Sequence, residues 1–154
     1  ILLVGYIWGI GFMPDVKRLF GYHGAEHKTI NAYEAGAELT PEVVAKYPIE
    51  HPRCGTAFML TFVLLSILIH SLLGDMTFVW RLASRILLIP VIAGIAVEFI
   101  RWTANHLDSA LVRLLIKPNL ALQSLTTRQP DNSMLEVAIE SFKTMRQAEQ
   151  EVVV

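Results

Sequence analysis

The sequence predicts an all-α integral membrane protein, folded as a single helical membrane domain over residues 1–154. Apolar residues make up 53% of the chain and charged residues only 18%, whereas average soluble domains carry about 25% charged residues. The apolar residues are collected into long blocks, two of which are long enough to cross a bilayer. The net charge is −1 and no stripe of Lys and Arg stands out, so the composition does not indicate nucleic-acid binding.

The first two segments of the chain differ in polarity. Residues 1–13 are apolar but too few to cross a hydrocarbon core of about 30 Å, so we interpret them as the end of a transmembrane helix. Residues 14–53 are more polar and hold three of the five histidines. We therefore expect a histidine-rich segment outside the bilayer.

Two complete transmembrane helices are predicted over residues 54–74 and 79–101, joined by a tight hairpin. The first contains no charged residue. The second has Arg81 and Arg85 in its first turns, where their long side chains can reach the membrane interface, and Glu98 near its end.

The last segment, residues 102–154, is predicted to form cytoplasmic amphipathic helices. Leucines at helical spacing predict one helix over 105–116, which Lys117-Pro118 should end, and residues 120–130 should form a loop. Asp131, Asn132 or Ser133 could cap a final helix over about 134–150.

The basic residues predict the orientation in the membrane. Apart from Arg81 and Arg85 at the start of the second span, they lie before the first span and at or after the end of the second, and the hairpin has none before Arg81. The positive-inside rule therefore places residues 14–53 and the C-terminus in the cytoplasm. The single cysteine, Cys54, excludes an intrachain disulfide and is compatible with a cytosolic location.

A metal-binding pattern stands in the sequence GYHGAEHKTINAYE. His23 and His27 are four residues apart and share one face of a helix, where two imidazoles can hold one zinc ion. Glu26 completes an H-x-x-E-H pattern and is placed to act as general base on a water molecule activated by the metal. Ordinary hydrogen bonding of two interfacial histidines is the alternative interpretation.

A second group of candidate ligands follows in HPRCGTAF. His51 and Cys54 are three residues apart at the mouth of the first span and can also bind a transition metal. Glu98 is a candidate third ligand from a later helix, with a salt bridge to Arg101 or Arg53 as the alternative. Glu34 lies about 10 Å along the helix axis from His27, so we expect it in a supporting role or at a second site.

Four segments together resemble the bacterial YqhQ-like membrane proteins, a family of unknown function predicted to be metal-dependent enzymes. These are GYHGAEHKTINAYE, HPRCGTAF, RILLIPVIAGIAVEFIR and LTTRQPDNSMLEVAI. The resemblance implies a multi-span helical membrane protein, and we expect it in the bacterial inner membrane. The residues on matching motif positions are His23, Glu26, His27, His51, Arg53 and Cys54. Members of that family usually carry a further N-terminal region with a glycine-rich motif, which these 154 residues do not contain.

Three functions fit these patterns. The first is a membrane-embedded zinc hydrolase, with zinc or another divalent transition metal as cofactor. The second is an oligomeric channel or transporter, in which His70, Arg85 and Glu98 of several copies line a path. The third is a structural or assembly protein whose metal site is closed by four protein ligands. The expected partners are the lipid bilayer and further copies of the same chain.

Overall fold

The structure, a computed structural model, describes residues 2–152 and contains eight α-helices and no β-strand within that range. The all-α class predicted from the sequence is thereby confirmed. Ile1 and residues 153–154 of the predicted end segments lie outside the described residues. The helices are α1 (Leu2–Ile10), α2 (Pro14–Glu34), α3 (Pro41–Val44), α4 (Gly55–Leu72), α5 (Phe78–Leu87), α6 (Ile89–Ala104), α7 (Ala110–Thr126) and α8 (Asn132–Val152).

The chain divides into two compact units. The polar unit comprises residues Ile1–His51 and Gln123–Val154, and it contains the short apolar helix α1, the last turn of α7, and α2, α3 and α8. The apolar unit comprises Pro52–Leu122 and contains α4, α5 and α6. That the whole chain acts as one membrane domain stays a prediction.

The core of the polar unit is small and is built from three helices. Ala25 and Ala32 lie two turns apart on α2, and Leu135 and Ile139 lie one turn apart on α8, with Val44 of α3 packed against them. The alanines have no bulk beyond Cβ, so α8 and α3 can approach the backbone of α2 closely. This packing holds the histidine-bearing helix in place.

Helix α8 begins as the sequence predicts. Of the three candidate capping residues, Asp131 provides the cap, because its carboxylate accepts hydrogen bonds from the Ser133 hydroxyl at 2.7 Å and the Met134 backbone N–H at 2.9 Å. These two hydrogen bonds hold the pKa of Asp131 below its ordinary value.

The apolar unit contains one described helix, α4, that is long and apolar enough to cross a membrane. The second predicted span is interrupted, because α5 and α6 meet at Leu88 with a bend of 42°. Pro90 has no N–H to donate to the preceding turn, which accounts for a break at this position. The pair makes a second span only if α5 and α6 cross the membrane together.

The predicted helix end at Lys117-Pro118 is wrong. Helix α7 continues through Pro118 to Thr126, and the predicted loop over 120–130 is helical up to that residue. A proline inside a helix costs about 3 kcal/mol. Burial of Val112 and Ile116 before Pro118 and of Leu122 after it offsets that cost.

Candidate metal centre

Two histidines of α2 stand side by side in the polar unit. The rings of His23 and His27 have centroids 4.3 Å apart, and their candidate ligand atoms lie within 4.8 Å of each other. This is the proximity that the four-residue spacing predicts. His27 is buried, with 4% of its surface exposed, and His23 is half-buried.

Each of these two rings is oriented by a backbone carbonyl. His23 Nδ1 lies 2.8 Å from the Thr126 oxygen, and His27 Nδ1 lies 2.7 Å from the Ile49 oxygen. A carbonyl oxygen only accepts, so Nδ1 of each ring carries the proton and donates it. In the neutral ring the lone pair is then on Nε2, the atom that would bind a metal. Histidine ligands of metals are commonly oriented by such a hydrogen bond.

A third histidine approaches from the loop before the apolar unit. The ring of His51 is buried, with its centroid 5.8 Å from that of His27. Its backbone N–H and carbonyl are both held by the side-chain amide of Gln123, each at 2.8 Å. The Glu34 carboxylate lies 4.0 Å from His51 Nε2, and the supporting role expected for Glu34 stays a prediction.

The loop carrying His51 is held by side chains of α2. Lys28 Nζ donates to the carbonyls of Ala45 and Tyr47 at 3.0 and 2.6 Å, and Asn31 donates to those of Pro48 and Glu50 at 2.8 and 3.0 Å. Burial lowers the pKa of Lys28, and the nearby Glu50 carboxylate opposes that shift in part. The motif residues therefore fix the loop as well as supply candidate ligands.

The motif contains a glycine, Gly24, between its two histidines because no side chain fits at this position. A Cβ on Gly24 would overlap the carbonyl oxygen of Arg128 and approach Ile49. The Arg128 backbone N–H donates to the Phe20 carbonyl at 2.9 Å, which holds this segment against α2. Close approach of two backbones at this point brings the Thr126 carbonyl within reach of His23.

Cys54 follows His51 by three residues and begins α4 as its N-cap residue. Three residues span at most about 10 Å, so the backbone of Cys54 lies within about that distance of His51 by chain connection. A ligand role of Cys54 beside His23 and His27 stays a prediction. Arg53 lies between His51 and Cys54 in the sequence and is exposed, and its role stays a prediction.

Glu26 lies on a different side of α2. Its side chain is exposed and lines a groove of about 370 Å³ between α2 and α8, together with Tyr22, Thr29, Ser141 and apolar side chains such as Phe142. Its role as general base stays a prediction.

Glu98 belongs to the apolar unit and pairs with Arg101, as the alternative interpretation expected. The two charged atoms are 3.2 Å apart, and both side chains are largely exposed. A ligand role for Glu98 stays a prediction.

The residues that position the site are not among those predicted from the sequence. Gln123 is fully buried and clamps His51, and Lys28 and Asn31 hold the loop. Lys28 and Asn31 stand in the motif itself, one and four residues after His27, so their place there was a signal. Gln123 and Ser124 are the two polar residues of ALQSL, and only the fold reveals the partner of Gln123.

Comparison with known proteins gives a family and one relative. The family described as "Protein of unknown function (DUF1385)" matches residues 1–148. The chain is 40% identical over 149 residues to "Uncharacterized protein YqhQ" of Bacillus subtilis (strain 168), covering 97% of this chain and 47% of that protein. The chain thus spans about half the length of this relative. No solved structure matches this chain.

Proposed function

This chain belongs to the family of proteins of unknown function DUF1385, the YqhQ-like proteins, and we propose that it binds a divalent transition metal through the histidines of α2. Zinc is the metal that best suits a donor set of imidazole nitrogens and a thiolate. The observation that carries the proposal is the pair of Nδ1–H···O=C hydrogen bonds of His23 and His27.

The other candidate ligands support the same assignment. His51 lies beside His27 with a carboxylate near its Nε2, so its Nδ1 would face a metal while Glu34 orients the ring. Cys54, three residues after His51 in the chain, is the candidate thiolate ligand that the sequence predicts.

The proposal includes a membrane location. Helix α4 has the length and composition of a span, and α5 with α6 would form a second, bent one. With both spans in the bilayer, the basic residues place the histidine cluster and the C-terminus on the cytoplasmic side of a bacterial inner membrane.

Elemental analysis tests the metal assignment. We expect purified wild-type protein to hold about one zinc per chain, and His27→Asn to lose at least tenfold in affinity. His106→Asn is the matched control, because His106 also donates from Nδ1 to a carbonyl, that of Trp102, but is exposed. Equal metal content in wild type and His27→Asn, with both variants folded by circular dichroism, would refute the proposal.

A hydrolytic function is a second candidate, favoured by the H-x-x-E-H pattern. The exposed Glu26 carboxylate could accept a proton from water and return it to a leaving group. Because Glu26 lines the α2–α8 groove on another side of α2 from the histidines, this function requires a substrate that reaches both. When bound, zinc supplies Lewis-acid polarisation of a substrate carbonyl. A closed structural site is the competing function, and the burial of His27, His51 and Cys54 favours it.

Coordination distinguishes the two functions. X-ray absorption of the zinc protein should show three protein ligands and one exchangeable light-atom ligand if the site is hydrolytic. Acetohydroxamate should then perturb the visible spectrum of the cobalt-substituted protein. Four protein ligands and no response to acetohydroxamate would exclude hydrolysis and leave the structural site, with metal binding itself intact.

A further inference from the structure

The apolar unit contains a cavity of about 300 Å³ next to the bend between α5 and α6. It lies outside the candidate metal centre, and its lining has two kinds of side chain. Ser66, His70 and Arg85 are polar. The remaining lining residues are apolar: Phe62, Ile67, Ile89 and Ile92.

His70 presents an unsatisfied atom. Its Nδ1 donates to the Ser66 carbonyl at 2.7 Å, which fixes the ring. Its Nε2 is buried and has no hydrogen-bond partner among residues 2–152. A buried polar atom without a partner costs about 1–3 kcal/mol, so such an atom in a cavity wall indicates a ligand or an ordered group from outside the chain.

Arg85 adds a positive charge to the same cavity. In the described part of the chain it makes no hydrogen bond or ion pair, whereas its neighbour Arg81 donates to the Met76 carbonyl at 3.3 Å and Arg101 pairs with Glu98. A guanidinium in an apolar helix needs an anionic or strongly polar partner, and its planar fork suits a phosphate.

We propose that this cavity binds the phosphate of an anionic glycerophospholipid, with Arg85 as the charged contact and His70 Nε2 as a second polar contact. The inference rests on the membrane location proposed above and is independent of the metal. Neutral His70 would accept from a protonated headgroup or a hydroxyl, and protonated His70 would donate to phosphate oxygen.

The shape of the lining favours a lipid over a free phosphate ion. His70 lies two residues from the end of α4, about 3 Å of helical rise, where a span reaches the headgroups. The lining then extends about 12 Å along α4 to Phe62, among isoleucines. A polar mouth with an apolar interior matches a headgroup followed by an acyl chain.

Native mass spectrometry of the delipidated full chain in detergent tests the proposal with phosphatidylglycerol, dioleoylglycerol and inorganic phosphate as probes. We expect phosphatidylglycerol adducts on wild type, weakened about tenfold or more by Arg85→Gln and measurably by His70→Phe. Arg81→Gln is the matched control, one turn away on α5 and outside the cavity lining, and should bind within about twofold of wild type.

Three results would overturn the assignment. Equal losses in Arg81→Gln and Arg85→Gln would indicate non-specific attraction of lipid to positive charge. Binding of dioleoylglycerol as tight as that of phosphatidylglycerol would remove the phosphate contact. Displacement of the lipid by millimolar inorganic phosphate would make this a soluble-anion site. A chain that stays monodisperse without detergent would instead refute the membrane location itself, before any lipid is added.

Discussion

The two units of this chain place polar and apolar side chains in opposite ways. In the polar unit, His27, Lys28 and Gln123 are buried and each is hydrogen-bonded to backbone. In the apolar unit, large hydrophobic side chains are exposed, with Leu72 at 77% and Phe78 at 78%. Many large hydrophobic side chains of α4, α5 and α6 are exposed in the same way.

This contrast is the one that the proposed membrane location of α4, α5 and α6 would require. Buried polar groups that are fully hydrogen-bonded fix one geometry, which a metal site requires. Exposed Leu, Ile, Val and Phe side chains on several helices mark an interaction surface, and hydrocarbon is the environment that the proposed membrane location would give them. The polar unit derives its order from specific hydrogen bonds, whereas the order of the apolar unit would depend on that environment.

The largest expected effect is on membrane insertion, when one exposed leucine in each unit is replaced by arginine. Leu64 of α4 is 54% exposed and Leu19 of α2 is 62% exposed. Leu64→Arg near the middle of the span should cost about 2.5–3.5 kcal/mol of membrane insertion, whereas Leu19→Arg should leave insertion unchanged. Alkaline carbonate extraction of membranes measures the inserted fraction. If Leu64→Arg inserts as well as Leu19→Arg, then α4 is not surrounded by lipid.

A smaller effect comes from adding one methyl group to a helical glycine in each unit. Gly24→Ala should destabilise the polar unit by about 1–3 kcal/mol, because its Cβ overlaps the Arg128 carbonyl. Gly94→Ala on α6 meets no atom within 4 Å and should be neutral or slightly stabilising. Thermal unfolding in detergent and zinc content measure both. Similar unfolding temperatures for the two variants would contradict the close approach of α2 to the Arg128 segment.

The smallest expected effect is the pH dependence of the cap on α8. The folded-state pKa of Asp131 is lowered by hydrogen bonds from Ser133 and Met134. The cap therefore stabilises α8 above the unfolded pKa of about 3.9, and this contribution is lost as pH falls through the lower folded value. Asp131→Asn keeps a capping oxygen without a charge, so its unfolding temperature should fall less than that of wild type below pH 4. If the unfolding temperatures of the two proteins fall in parallel below pH 4, the Asp131 carboxylate does not contribute a pH-dependent stabilisation of α8.

The elements that the sequence predicted well are those with a strong local signal. The apolar run of α4, the amphipathic pattern of α8 and the one-turn spacing of His23 and His27 all come from residues near one another in the chain. Pro118 misled the prediction, because the sequence shows the lost hydrogen bond and not the burial that outweighs it. The bend at Leu88 was missed because residues 79–101 were predicted as one continuous transmembrane helix.

The sequence by itself determined the all-helical class, the apolar character of α4 and the histidine pair, because each depends on periodicity within a single segment. Only the tertiary structure decided which nitrogen of each ring donates to a backbone carbonyl. The Thr126 and Ile49 carbonyls that orient the rings come from residues 103 and 22 positions away, and the amide of Gln123 that holds His51 from 72 away. Such distant hydrogen bonds form when packing brings backbone segments together, and a linear pattern carries no record of that proximity.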